Sequence, residues 1–210
     1  PHRTSFTSFQ YSLLKLDLGG DKNGPTNLQE IRRLKNLRSL SISKFGADSL
    51  SSESFLEFGI ELENLRIFHA GLKAIKAHAF QYVRGLKRLD LSENRIDLVE
   101  KGAFTEVGHS LISLAITHGF SGQVTQLPDL RELTSIEELD FSNNRIKTIS
   151  DTAFHSMKNL RVLKMSDNLM EQLPKGIFQR DIHQKLEEVN FEFNLLRHVS
   201  THTFVDLEVI

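Results

Sequence analysis

The sequence predicts one α/β solenoid: a curved, right-handed coil with a parallel sheet on its concave face and short helical or 3-10 turns and loops on its convex face. Three observations lead there. An apolar pattern, L-x-x-L-x-L-x-x-N-x-L-x-x-I…A-F-x-x-L, returns about every 24–26 residues along the chain. Its first half alternates apolar and polar residues, the period of a strand with one buried face. Its second half carries a Phe at one repeated position: Phe55, Phe80, Phe104, Phe154, Phe178 and Phe204. One copy cannot bury its own apolar face, so copies must stack on one another.

The frame restarts near Leu13, Leu37, Leu62, Leu86, Leu111, Ile136, Leu160 and Leu186. Residues 1–210 therefore read as one array of about eight repeats, expected to continue past both ends, since neither end has a polar capping repeat. The clearest copy runs Leu86, Leu89, Leu91, Asn94, Ile96, Val99, Phe104, Val107. In its strand Leu89 and Leu91 should point inward, with Asp90 and Ser92 facing solvent. The same frame buries Leu139, Phe141, Leu163 and Met165, and exposes Asp140 and Lys164.

An Asn follows the strand in four copies, at Asn94, Asn144, Asn168 and Asn194. Its amide can satisfy backbone groups left unpaired where a strand ends, and is expected to stack on the Asn of the next copy. The other copies carry Asp21, Phe45, Ala70 and Gly119 there, so less regular turns are expected in the N-terminal half. The convex half is too short for a long helix and predicts one or two helical or 3-10 turns with the Phe column in the core. The fifth copy lacks Ala-Phe; its core should use Val124, Leu127, Leu130 and Leu133, with Pro128 shaping the path. Gly19 through Pro25 is turn-rich.

Charge is nearly balanced, with 26 basic and 27 acidic residues and a formal net charge of -1. This argues against a nucleic-acid or membrane-surface binder, which would carry a basic excess. There is no cysteine. No Asn begins an N-x-S/T sequon, so glycosylation gives no clue to compartment. No catalytic motif is present: G-x-S-x-G, H-E-x-x-H and G-x-x-x-x-G-K are all missing. His198 and His202 stand four apart, a chelating spacing on a helix, but no carboxylate or Cys completes a ligand set. The reading is therefore no enzyme, no cofactor and no metal. It leaves a protein partner, with no nucleic acid and no small-molecule substrate.

Function should then lie on the concave face. Its solvent positions sum to about +2 over the first four repeats and about -5 over the last four. Such polarity can steer a partner and set its register. Candidate protein-binding residues are Arg66, Phe68, His69, Lys87, Arg88, Glu137, Asp140, Lys164, Glu188 and Phe193. Phe68 and Phe193 are exposed aromatics of the kind that anchor interfaces.

Repeat length and pattern are those of the leucine-rich repeat, and the residues outside the consensus are more specific. FGIELENLRIFHAGLKAIKAHAFQYVRGLKRLDL from Phe58, VGHSLISLAITHGFSGQVTQLP from Val107 and KGIFQRDIHQKLEEVNFEFNLLRHVSTHTFVDL from Lys175 resemble the chaoptin family. The resemblance covers most of the chain from Phe58 to Leu207; the first 57 residues are less diagnostic. It implies an arthropod cell-surface glycoprotein built almost wholly of such repeats. It further implies a lipid anchor supplied by flanking sequence, the extracellular face of the plasma membrane, and cell–cell adhesion that includes homophilic contact, so the partner implied is a protein, the chain itself included. Two other readings share the repeat: the ligand-recognition ectodomain of a Toll-like receptor type protein, and an intracellular leucine-rich scaffold.

Overall fold

The computed structural model describes residues 11–19, 31, 34–44, 46, 48–56, 61–200 and 202–205. Phe45, Asp21 and the Gly20–Pro25 stretch lie outside them. Among the described residues thirteen strands follow in chain order. They are β1 Lys15–Gly19, β2 Ser39–Ser43, β3 Ser49–Leu50, β4 Asn64–Phe68, β5 Ala74–Ile75, β6 Arg88–Asp90 and β7 Leu98–Val99. Then come β8 Ser113–Ala115, β9 Glu138–Asp140, β10 Val162–Lys164, β11 Phe178–Gln179, β12 Glu188–Asn190 and β13 Phe204–Val205.

Each repeat contributes one strand to an eight-stranded sheet in the order β1-β2-β4-β6-β8-β9-β10-β12. Every pair is parallel, and the register joins equivalent leucines: Leu40 to Leu65, Leu65 to Leu89, Leu89 to Leu114, Leu114 to Leu139, Leu139 to Leu163. The two-residue alternation dictates this. A slip by one residue would turn every leucine to water. Leu89, Leu91, Leu139, Phe141, Leu163 and Met165 are all buried, as the frame requires. Asp90, Asp140 and Lys164 face outward but are half-buried rather than exposed. Neighbouring strands stand only about 4.8 Å away and flank each side chain. Two of the three also turn a carboxylate back, Asp90 onto the Ser92 N–H and Asp140 onto the Ser142 N–H.

The asparagines bond across repeats, and the Phe141 carbonyl accepts from both Asn144 and Asn168. Asn144 accepts the N–H groups of Gly119 and Phe120 at 3.1 and 2.9 Å, and donates to the carbonyls of Ile116 and Phe141 at 2.7 and 2.8 Å. Asn94, Asn168 and Asn194 act alike on the copies before them. One amide thus saturates the ends of two successive strands. Among the described residues the turns are no less regular in the N-terminal half. Lys44, His69, Glu93, His118, Asn143, Asp167 and Phe193, each just before the Asn position, all hold a left-handed backbone with φ between 49° and 57°. Each conformation costs about 1–2 kcal/mol for a non-glycine residue. It persists at each described corner because the stacked backbone, not the local side chain, sets the turn.

The convex half forms no helix among the described residues. Isolated i to i−3 hydrogen bonds replace it: Ala79 to Lys76, Val83 to Phe80, Leu86 to Val83. Core residues spaced by three need tight turns, and the left-handed residues His78, Gly102 and Gly176 interrupt any continuous helix. Inside, the rings stack in two runs. Phe55, Phe80 and Phe104 follow at 5.9 and 5.8 Å; Phe154, Phe178 and Phe204 follow at 6.1 and 5.3 Å. Leu130 fills the Phe position between the runs. It is buried, and its carbonyl accepts the Leu133 N–H at 2.9 Å, as Phe104 accepts that of Val107. Leu127 and Leu133 are buried beside it and Val124 is partly buried. Gly108 permits the close approach of this irregular copy, since a Cβ there would overlap the Glu132 carbonyl.

Candidate functional site

The outward residues of the sheet form two rows. One runs Lys15, Ser39, Asn64, Arg88, Ser113, Glu138, Val162, Glu188; the other runs Asp17, Ser41, Arg66, Asp90, Ala115, Asp140, Lys164, Asn190. Small side chains at Ser39, Ser41, Ser113 and Ala115 leave a shallow groove of about 530 Å³ across the first five strands, floored by the sheet and bordered by Arg66 and Arg88.

Several charges on and beside these rows pair between adjacent repeats. Arg66 donates to Asp90 at 2.8 Å, and its guanidinium lies 3.9 Å from the centre of the Phe68 ring. Arg66 is thereby fixed, and Phe68 is half-buried beneath it, not exposed. Arg161 binds Glu187 through two bonds of 2.9 and 2.8 Å, with Glu137 at 3.7 Å on its other side. The hydrogen bond from Arg161 holds the Glu187 carboxyl below the usual carboxylate range and raises the guanidinium in turn. Arg38 lies 3.6 Å from Glu63. The acidic end is therefore partly neutralised, and the charge split read along the sequence is shallower on the surface.

The ten candidate residues separate into groups. Arg66 and Phe68 meet on β4. Arg88 and Glu188 are exposed on the sheet face, where neither has an ion pair among the described residues. Asp140 and Lys164 are register partners on β9 and β10. Lys87 and Glu137 precede their strands and are half-buried; their carbonyls accept N–H groups of the next repeat. His69 and Phe193 are not on the sheet at all. They occupy left-handed corners, His69 bonded to Glu93 at 2.6 Å and Phe193 76% exposed. Glu138, a solvent-facing strand position outside these ten, is exposed in the first row beside Ser113. It occupies the same repeat position as Arg88. The corner set was legible only as the residue before the Asn position.

His198 and His202 do not share a helix. Among the described residues no group of three or more His, Cys, Asp or Glu could hold a metal, and no helix is long and apolar enough to cross a membrane.

Comparison with known proteins follows the same lines. The leucine rich repeat family model matches residues 60–118, 114–170 and 134–181. Chaoptin of Drosophila melanogaster is 56% identical over 185 residues, 87% of this chain and 14% of that protein. Chaoptin of Tribolium castaneum is 42% identical over 93 residues, 43% of this chain and 12% of that protein. The chain thus spans about one seventh or less of the length of these relatives. The solved TLR13–ssRNA13 complex superposes with a TM-score of 0.76 at 24% identity, over 87% of this chain and 26% of that one. Human 5T4 superposes with a TM-score of 0.70 at 19% identity, over 90% of this chain and 70% of that one.

Proposed function

We propose, from the premise that the chain belongs to the leucine-rich repeat family and is chaoptin-like, that it is a protein-binding module of a cell-surface adhesion protein. It acts on the extracellular face of the membrane and binds a second copy of itself. The observation that carries this reading is the 56% identity to a chaoptin over 185 residues. It is a density of matches far beyond what the repeat consensus demands. The sheet suits the role: its outward face is open and polar.

Contact falls to the charges the fold leaves unpaired. Arg88 with Lys87 can meet Glu138 and Glu188 of an antiparallel partner, a pairing that a two-fold axis makes twice. Arg66 over Phe68 supplies a flat edge beside them. The test is aggregation of beads bearing the full-length protein, measured against salt. Self-binding should weaken as ionic strength rises, because exposed charges are screened over about 8–10 Å. Lys87→Glu with Arg88→Glu should reduce it, and a partner carrying Glu138→Lys and Glu188→Lys should restore it. Beads that never aggregate would remove homophily and leave recognition of another ligand as the reading.

A further inference from the structure

A second surface lies on the flank of repeats six to eight, away from the sheet face. In repeats two to four this flank is closed by the three-stranded ladder β3-β5-β7. There the Asp97 N–H donates to the Lys73 carbonyl at 2.7 Å, and the Glu100 N–H donates to the Ile75 carbonyl at 2.9 Å. The equivalent acceptors three repeats later are the carbonyls of Lys147 and Ile149. Neither receives a hydrogen bond from any described residue. The residue that should donate to Ile149 is Pro174, which has no N–H. The ladder stops there, and a groove of about 780 Å³ opens along the break.

The groove has a definite chemistry. Its floor is apolar: Ile149 and Leu173 are nearly buried, Leu169 is half-buried, and Leu195 is 53% exposed. Its rim carries exposed Lys147 and Lys175; its one carboxylate, Glu171, faces Arg197 at 3.9 Å. The two free carbonyls stand two residues apart along the chain, the spacing at which an extended segment presents its alternate N–H groups. We propose that this groove docks an extended segment of a partner protein whose side chains alternate between apolar and carboxylate. Its backbone N–H groups supply the donors that Pro174 cannot. Its apolar side chains cover Leu169 and Leu195, and its carboxylates meet Lys147 and Lys175. The proposal does not depend on homophilic contact through the sheet face.

The experiment titrates the full-length protein into a fluorescein-labelled, end-blocked heptapeptide of alternating Glu and Val and follows anisotropy. Saturable binding is expected below about 1 mM. The same peptide with Lys for Glu, and one of Glu and Gly without Val, should each bind about tenfold more weakly or less. Lys147→Glu with Lys175→Glu should cost about tenfold in affinity for the Glu–Val peptide. Pro174→Val, which restores the missing N–H and lets the ladder close, should cost as much; the double charge variant carries the test if it misfolds. No saturable binding to the unaltered protein, or equal binding of all three peptides, overturns the proposal. Bead aggregation by the Lys147→Glu, Lys175→Glu protein separates the two surfaces, since loss of peptide binding should leave aggregation unchanged.

Discussion

The carbonyl of Gly119 accepts the Ile96 N–H at 2.8 Å, the task that the Asn168 side chain performs for Ile146 at 3.0 Å. Where the consensus Asn is missing, backbone has moved into its place. A Cβ at Gly119 would overlap Ile116 and lie 3.2 Å from the Leu91 carbonyl. Restoring the consensus should therefore destabilise. Gly119→Asn and Gly119→Ala should each cost about 1–3 kcal/mol in denaturant unfolding, the range for overpacking. A gain in stability for Gly119→Asn would mean that the turn can relax to the regular form.

Asn144→Ala should cost about 1–3 kcal/mol, because it strands two buried N–H groups and two carbonyls at once. A solenoid passes such a loss chiefly to its neighbours. Hydrogen exchange at Gly119 and Phe120 should accelerate first, while amides near Leu40 stay protected.

Phe154→Ala should cost about 3–5 kcal/mol. Its ring is fully buried and stacks 6.1 Å from Phe178, at the start of the second ring column. With Leu130 in the preceding Phe position, no ring on that side can slide in to fill the void. A cost under about 1 kcal/mol would place the ring outside the core.

Stability should fall in mild acid through His183. The Gln179 N–H donates to its Nδ1 at 3.0 Å, so Nε2 carries the proton and donates to the Phe154 carbonyl at 3.1 Å. Burial lowers its pKa from an ordinary 6.5, and nearby His155 adds to this, against the bond to the Phe154 carbonyl and Asp181. A depressed folded pKa means that the unfolded chain takes up the proton more readily. The stabilisation is complete above 6.5 and is lost as pH falls through the folded value. Melting temperature measured from pH 8 to pH 5 should drop for the natural protein, and the drop should be smaller for His183→Gln.

Arg161→Ala should change stability by no more than about 1 kcal/mol, since the pair with Glu187 is exposed and screened. It would nonetheless free Glu137 and Glu187 and deepen the acidity of that end of the sheet. Thermal unfolding beside the salt dependence of bead aggregation would show the two effects separately.

The repeat, its phase and its core are legible in the order of residues alone. Spacing alone places Leu89 over Leu114 and Phe80 over Phe104, because stacked copies bring residues one period apart into contact. It also placed an Asn at each regular strand end, where unpaired backbone needs both donor and acceptor. The tertiary structure decided what lies between copies. Arg66 meets Asp90, and Arg161 meets Glu187, across gaps of 24 and 26 residues that one sequence presents only as a list of charges. Their pairing depends on side-chain reach over neighbouring strands, not on pattern. The short turns expected on the convex side are single i to i−3 turns, because left-handed corners at His78, Gly102 and Gly176 break helical continuity. The flank groove depends on the same kind of fact: Pro174 is visible in the chain, but only stacking shows that its missing N–H faces the Ile149 carbonyl.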